Sequence, residues 1–316
     1  MVSFAGYDMP LQYPDLTIKD SSIHTRRHAS IFDVSHMLQT HIVGKDRVSF
    51  IESLTTADIQ GLVENSGTLS VFTNEKGGIK DDLIITKTNH DFIYMVTNAG
   101  CIDKDLPYLQ ECAAKWRSNG KDVDIKVLDG RGLIAVQGNF LLFSFEFLMF
   151  VTHDVIMLKL IIGPEMTSIL QPETDIDLSK LTFMRSTIGK VFGIDNCRVT
   201  RCGYTGEDGV EISVDAKSAA ILVERILESK VCLKCFFIRF YFYDPMIRTQ
   251  NRFFFSTSNF IFVDNCCIAK RRREAMDFPG ATKIMNQLIN KNWPKRRVGL
   301  VSDPGRVPRG EGIYPY

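Results

Sequence analysis

The sequence predicts an α+β fold, because strand-like runs alternate with segments whose apolar residues recur at helical spacing. The 316 residues are 45% hydrophobic, which is enough for a substantial core and for about two domains. No self-similar period of about 20 to 50 residues is visible, which excludes a solenoid or another repeat array.

The first half of the chain supplies the clearest elements. Strand-like runs at 68–73 and 79–86 flank the turn residues 74–78, a pattern typical of a β-hairpin whose turn glycines supply positive φ. The other elements expected here are, in order, a strand at 37–44, a helix at 46–59, a strand at 92–97, a helix at 103–118 and two short strands at 122–137.

The second half resumes this alternation after an interruption. A helix is expected from residue 163, where proline stands in the first turn, and residues 189–214 predict paired strands around the loop 203–209. Two windows, 139–162 and 232–268, hold five and nine phenylalanines, which is 14 of the 22 in the chain. We therefore treat these two windows as atypical.

Charge excludes some classes of partner. The 38 basic and 37 acidic residues leave a formal charge of +1, so no global field attracts nucleic acid or an anionic membrane surface. The most apolar stretch is interrupted by Glu146, His153, Asp154 and Lys159, whereas a spanning helix needs about 20 nearly uncharged residues. We predict neither nucleic-acid binding nor a transmembrane segment.

The cysteine spacing argues against a metal centre. Cys232 and Cys235 have a two-residue spacer, but Cys266 and Cys267 are adjacent, so the four do not match the usual zinc pattern. Eight cysteines in a chain of this length also form no dense disulfide framework, which favours a reducing compartment. We predict no metal.

Asp81 and Asp82 form the first candidate site. Neighbouring side chains of a strand point to opposite faces, so one of the two must face the apolar side, where a carboxylate is costly without a partner. One interpretation is a hairpin end at which both aspartates are solvated or cap backbone donors. The other is a desolvated acid that steers a cationic or protonated nitrogen.

The loop 203–209 and the strand after it form the second candidate. Its three glycines permit close approach of backbone to a ligand, but it lacks the order of a phosphate-binding or dinucleotide-binding loop. Glu211 on the following strand suits an amidine-like edge, such as that of a pterin or guanine, which donates two parallel hydrogen bonds. The alternative is an ion pair with Arg198 or Arg201 across the hairpin.

Several long motifs in one order resemble the aminomethyltransferase, or T-protein, of the glycine cleavage system. The resemblance covers about 1–138, 163–231 and 269–301. It is carried by residues 4–7 (FAGY), 32–37 (FDVSHM), 68–82 (TLSVFTNEKGGIKDD), 197–213 (CRVTRCGYTGEDGVEIS) and 275–280 (AMDFPG).

The resemblance implies a tetrahydrofolate-dependent transfer in the mitochondrion. The aminomethyl group on the lipoyl arm of H-protein passes to N5 of tetrahydrofolate, giving methylenetetrahydrofolate, ammonia and the reduced lipoyl arm. The implied fold is a three-domain cloverleaf with folate in its central channel.

The resemblance also implies roles for single residues. Asp82 matches the aspartate beside the reacting nitrogens, where a carboxylate stabilises an iminium-like cation, and Asp81 is the alternative if the strand register differs by one. Glu211 matches the glutamate that binds the pterin edge. The surrounding pocket is implied to include Met37, Val96, Asn98 and Tyr204.

The two atypical windows depart from the family pattern. Window 139–162 separates Gln137 and Gly138 from Pro164, and window 232–268 stands where the family has an A-R-D-x-L-R-x-E-x-G element that supplies an arginine to folate. We expect residues 1–268 to form a folate-binding region of two interleaved subdomains. Residues 269–316 are expected to begin a third, barrel-like domain that is largely missing.

Two other functions remain as alternatives. One is an inactive or non-catalytic folate-binding homologue, such as the iron–sulfur assembly proteins of this fold. Their signature resembles Lys-Gly-Cys-Tyr with Gln-Glu, whereas this chain has RCGYTGE at 201–207. The other is the folate domain of a dimethylglycine or sarcosine dehydrogenase, which a flavin-binding region would precede.

Overall fold

The computed structural model describes residues 1–138, 146–151, 154–159, 165–228, 232–234 and 267–290. These residues divide into two compact units. The first contains Met1–Gln39, Glu64–Gly67 and the described residues from 127 to 234. The second contains Thr40–Val63, Thr68–Lys126 and the described residues 267–290.

Fifteen strands form within the described residues. In chain order they are β1 (Val2–Phe4), β2 (Tyr7–Met9), β3 (Ala29–Asp33), β4 (Leu38–Val43), β5 (Ser66–Thr73), β6 (Ile79–Lys87), β7 (Phe92–Thr97), β8 (Asp124–Val127), β9 (Arg131–Gln137), β10 (Glu146–Val151), β11 (Asp154–Lys159), β12 (Ser186–Val191), β13 (Ile194–Thr200), β14 (Gly209–Asp215) and β15 (Cys232–Lys234).

Seven α-helices accompany them in the same part of the chain: α1 (Ile18–Arg27), α2 (Arg47–Glu52), α3 (Ile102–Ser118), α4 (Glu165–Leu170), α5 (Ala216–Glu228), α6 (Lys270–Ala275) and α7 (Ala281–Asn290). None of the helices in the described ranges is both long and apolar enough to cross a lipid bilayer.

The first unit is built on a six-stranded sheet in the order β12-β13-β14-β9-β3-β15. Alternation along β14 sends Val210 and Ile212 into an apolar cluster that α4 and α5 complete with Met166 and Leu222. Glu211 lies between those two strand residues in sequence, so its side chain is on the opposite face of the sheet.

The second unit is built on a five-stranded sheet in the order β5-β6-β7-β4-β8. Leu83 and Ile85 of β6 belong to a buried cluster that includes Leu109 and Ala113 of α3. This apolar face of β6 therefore lies against α3, and the alternate residues of β6 point the other way.

The predicted hairpin at 68–86 is confirmed, with β5 and β6 as neighbours in the sheet. Gly77 has a φ of +75°, as the turn requires. The side-chain oxygen of Asn74 accepts hydrogen bonds from the backbone N–H groups of Lys76 (3.0 Å) and Gly78 (2.9 Å). This short-range network fixes the register that leads into the aspartate pair.

The predicted helix at 46–59 is shorter in the structure. Helix α2 ends at Glu52, and the hydroxyl of Ser53 donates to the carbonyl of Phe50 at 2.6 Å. The hydroxyl of Thr55 likewise donates to the carbonyl of Ile51 at 2.9 Å. Hydroxyls that bond nearby carbonyls compete with helix propagation, which the apolar spacing alone did not reveal.

Short parts of the two atypical windows are described. Strands β10 and β11 pair antiparallel as a hairpin, and β15 pairs parallel with β3 at the edge of the first sheet. The remaining positions of the windows, up to residue 266, lie outside the described residues. Two of the four cysteines with partial zinc-site spacing, Cys235 and Cys266, are among them.

Candidate functional site

The register of β6 and β7 brings three of the predicted site residues together. Leu83 lies opposite Thr97 and Ile84 lies opposite Val96. Asp82 therefore lies across from Asn98, on the sheet face that also carries Val96. Val96 is buried, whereas Asp82 and Asn98 are partly exposed.

Asn98 holds the Asp82 carboxylate directly. Its side-chain nitrogen donates to Asp82 Oδ1 at 2.7 Å and to the Asp82 carbonyl at 3.1 Å. Burial, followed by the neighbouring charge of Asp81, raises the pKa of Asp82 to about 6, and the Asn98 hydrogen bond opposes this shift. Asp82 is thus mainly ionised at neutral pH and near its titration range.

Asp81 is the aspartate on the apolar face. It alternates with Leu83 and Ile85 along β6 and is 1% exposed, so its carboxylate lies on the side of the sheet that faces α3. The expectation that one of the two aspartates faces the apolar side is confirmed. Asp82, on the other face, is the more accessible of the two.

Glu211 is held in the centre of the other sheet. It lies opposite Thr200 of β13 and Ala135 of β9, and its side chain is partly buried. The thiol of Cys202 donates a hydrogen bond to its carboxylate. Burial raises the pKa of Glu211, and the Cys202 hydrogen bond opposes that shift.

Arg201 does not take the role of an ion-pair partner for Glu211. Its guanidinium binds the Asp208 carboxylate through two nitrogens, with Nε to Oδ1 at 2.6 Å, and donates to the Leu178 carbonyl at 3.1 Å. The other alternative, Arg198, donates to the hydroxyl of Ser186 at 3.3 Å. A carboxylate has about four acceptor sites, so Glu211 keeps acceptor capacity beyond the Cys202 bond.

The loop 203–209 is fixed by Gln137 at the end of β9. Gln137 Oε1 accepts from the N–H of Tyr204 (3.2 Å), the N–H of Thr205 (3.1 Å) and the hydroxyl of Thr205 (2.7 Å). A Cβ on Gly203 would stand 2.7 Å from the end of the Gln137 side chain, so any larger residue would require that side chain to shift. The loop is thus ordered by a buried amide rather than left free.

Tyr204 and Met37, the other two predicted residues, lie in the first unit with Glu211. Tyr204 is partly buried, and its ring meets the ring of Phe32 edge to face at 5.5 Å between centroids. Met37 is partly buried in the turn before β4, where its N–H donates to the Val34 carbonyl at 3.0 Å.

The structure adds residues that the sequence analysis did not single out. Asp105 and Cys101 lie close to Asp81, with one carboxylate oxygen from each aspartate and the Cys101 sulfur within 4.8 Å of one another. Cys202 and Gln137 support Glu211 and the loop in the first unit. No signal at fixed sequence spacing connects these residues to their partners, since each contact depends on the fold.

A family model described as the GCVT N-terminal domain matches residues 1–139 and 147–232. The matched range includes 147–162, part of the first atypical window. Mitochondrial aminomethyltransferase from Canis lupus familiaris is 44% identical over 318 residues, which span 97% of this chain and 70% of the canine one. The chain belongs to the aminomethyltransferase family.

Other members agree with this assignment. The mitochondrial aminomethyltransferase of Homo sapiens is 44% identical over 311 residues, covering 96% of this chain and 69% of the human one. The crystal structure of glycine cleavage system aminomethyltransferase T from Bartonella henselae matches with a TM-score of 0.68 and 25% identity, covering 92% of this chain and 71% of that one.

Family membership confirms several predictions. The fold is α+β and shares the architecture of a solved aminomethyltransferase. The chain is an enzyme of the one-carbon transferase class, and the mitochondrial location of the canine and human relatives confirms the predicted compartment. Tetrahydrofolate is the substrate of this family.

Proposed function

We propose that this chain transfers the aminomethyl group from the lipoyl arm of H-protein to tetrahydrofolate, with release of ammonia. The observation that carries the proposal is the Asp82 carboxylate, held by Asn98 at 2.7 Å on the face of β6 away from the core. Family membership supplies the reaction class, and this carboxylate has the chemistry that the reaction needs.

The proposed role of Asp82 is electrostatic. The carbon to be transferred stands between a sulfur and an amine, so breaking either bond develops a cation on it, which is iminium-like where the remaining partner is a nitrogen. A fixed carboxylate in a partly desolvated place stabilises that cation without reorganising. Its pKa of about 6 leaves it mainly ionised at neutral pH, which is the state that this role requires.

The transfer is balanced in atoms and charge. The carbon loses its bonds to nitrogen and sulfur and gains bonds to N5 and N10 of tetrahydrofolate. The two protons from these nitrogens end on the lipoyl thiol and on the released ammonium. Tetrahydrofolate supplies the two nucleophilic nitrogens, and the proposed task of Asp82 is also to orient N5 for attack.

Glu211 is proposed to bind the pterin edge. Its carboxylate lies on the face of β14 opposite the apolar cluster and keeps acceptor capacity for the two parallel N–H donors of an amidine-like group. Met37, Val96, Asn98 and Tyr204 are also proposed to be folate-binding residues. No metal is assigned a part in the reaction.

The substitution Asp82→Asn tests this proposal. The amide keeps the size of the side chain but removes the charge, so ammonia release should fall about a hundredfold or more. Binding of tetrahydrofolate should change little, because the pterin contacts are assigned to Glu211. The measurements are ammonia release from aminomethylated H-protein and calorimetric titration with tetrahydrofolate.

Asp91→Asn is the matched control. Asp91 belongs to the same unit, and its side chain is fully exposed and 3.7 Å from Arg47, so both activity and folate binding should stay at the level of the parent. Unchanged turnover in Asp82→Asn would refute the assignment of Asp82. A parent chain that binds tetrahydrofolate but releases no ammonia would favour the non-catalytic homologue instead.

A further inference from the structure

A buried pair of carboxyl groups lies beneath the proposed catalytic aspartate. Asp81 of β6 and Asp105 of α3 are each 1% exposed, and a carboxylate oxygen of each lies within 4.8 Å of the other and of Cys101 Sγ. Two like charges at this separation in a buried place cannot both be maintained at neutral pH.

The hydrogen-bonding pattern indicates one proton between the two groups. In the described residues, Oδ2 of Asp81 and Oδ2 of Asp105 are both buried and have no hydrogen-bond partner, while the Cys101 thiol is hydrogen-bonded to Asp81. Burial, together with a hydrogen bond to Asp81 and the charge of Asp81, raises the pKa of Asp105 to about 8. If Asp105 is protonated, its hydroxyl donates a hydrogen bond to Asp81, and both buried oxygens then have a hydrogen-bond partner.

Asp81 is connected to Asp82 through one amide. Asn98 Nδ2 donates to Asp81 Oδ1 at 3.1 Å as well as to Asp82 Oδ1 at 2.7 Å and the Asp82 carbonyl at 3.1 Å. An amide nitrogen has two protons, so three acceptors compete for them. The orientation of Asn98, and with it that of the Asp82 carboxylate, depends on Asp81.

We propose that Asp81 is a positioning residue for Asp82: it shares one proton with Asp105 and acts through the side chain of Asn98. The inference rests on the proposed role of Asp82. It gives Asp81, the carboxyl group on the apolar face of β6, a role in the reaction rather than a purely structural one.

The charges around Asp81, Cys101 and Asp105 favour a shared proton over a metal cation bound by these three side chains. The titratable groups around the pair are Lys80, Asp82, Cys101 and Lys104. Burial and the charge of Asp81 raise the pKa of the Cys101 thiol to about 11, and Lys104 is hydrogen-bonded to that thiol. A cation would have to displace the protons of Asp105 and Cys101 beside an ammonium group.

The test compares two isosteric substitutions, with pH profiles of ammonia release. In Asp105→Asn, the amide still donates to Asp81, so kcat should stay within about threefold of the parent and the acid limb near pH 6 should remain. In Asp81→Asn, Asp82 loses a neighbouring charge, so the acid limb should move to lower pH. Its kcat should fall about tenfold to a hundredfold with the folate KM unchanged.

Each outcome decides the inference. The inference predicts that the acid limb of the Asp81→Asn pH profile moves, whereas a purely structural role of Asp81 leaves it in place. An acid limb that stays near pH 6 would therefore overturn the inference. An Asp105→Asn enzyme that loses activity would also overturn it, and would point to Asp105 as an ionised ligand. If Asp81→Asn does not fold, the Asp105→Asn profile decides by itself.

Failure of the proposed function gives a different result. If Asp82 has no catalytic role, Asp82→Asn itself stays active, whatever the two other variants do. The positioning role fails alone when Asp82→Asn is inactive and Asp81→Asn keeps both the parent kcat and the parent acid limb.

Discussion

Glu211 is the residue on which we expect folate affinity to depend. Glu211→Ala removes an acceptor from the centre of the first sheet, where the pterin edge is proposed to donate two hydrogen bonds. The expected loss is about 2 to 4 kcal/mol of binding free energy, because a charge-assisted bidentate contact is lost. Calorimetric titration with tetrahydrofolate measures it.

Glu224→Ala provides the control for this substitution. Glu224 is exposed on α5 in the same unit, so its removal should leave the affinity unchanged. Parent-like affinity in Glu211→Ala would reject the pterin-edge role. In that case the Cys202 bond would be the main interaction of this carboxylate, and its role would be structural.

The aspartate pair shows what sequence reasoning resolves for single residues. Alternation along a strand establishes that Asp81 or Asp82 must face the core, but the choice depends on the register of β6. Only the contacts of α3 reveal that Asp105 is the partner of the buried one. Long-range pairs of this kind have no fixed spacing in sequence, whereas the hydrogen bonds of Asn74 join it to residues two and four positions later and can be predicted from the turn motif.

The entry into β14 is tightly packed and gives a prediction for that strand. A Cβ on Gly209 would stand 2.7 Å from the Val136 carbonyl oxygen and 2.5 Å from Gln137 Cγ. Because the carbonyl belongs to the neighbouring strand, Gly209→Ala must push β14 and β9 apart. We expect a loss of about 1 to 3 kcal/mol in the free energy of unfolding, measured by urea denaturation.

Gly130→Ala is the matched substitution in the same unit. No atom lies within 4 Å of a Cβ at that position, and its φ is not in the positive region, so its effect should be near zero. Equal effects of the two substitutions would show that close packing at β14 is not what requires glycine. An enzyme with Gly209→Ala should also bind folate less tightly, since β14 carries Glu211.

Helices and strands are predicted best where the spacing of apolar residues and the flanking turn residues indicate the same ends. The spacing of apolar residues identified α3 and β7 almost to their ends, because periodicity and bounding turns coincide there. The hairpin of β1 and β2 was not predicted, since its turn places Ala5 at a φ of +51° before Gly6 at +82°. Alanine rarely takes that conformation, so the residue types give no warning of it.

The chain as a whole leaves the first unit after Gln39 and returns to it from Val127, apart from a brief return at 64–67. The two interleaved subdomains expected within residues 1–268 stay a prediction. The expected start of a third domain at 269 stays a prediction. In the described residues, α6 packs in the second unit, where Arg272 is fully buried and bonds Glu52 at 3.2 Å.

The stability of the protein should depend on pH through Asp105. Its pKa is 3.8 when unperturbed and about 8 in the folded chain, so the folded state holds the proton more tightly between those values. The free energy of unfolding should therefore fall as pH rises from about 4 to about 8. Asp82, with a pKa raised to about 6, adds to this fall at the acidic end.

Asp105→Asn should flatten this dependence, because an amide has no proton to lose. Between pH 5 and pH 8, the free energy of unfolding should fall less than in the parent, by about 1 kcal/mol or more, since each pKa unit is worth about 1.4 kcal/mol. The drop in Tm over this range should be correspondingly smaller. Calorimetry at both pH values measures it, with the exposed Asp91→Asn as control. An equal drop in Asp105→Asn and the parent would show that Asp105 is ionised at neutral pH, and the shared proton beneath Asp82 would have to be abandoned.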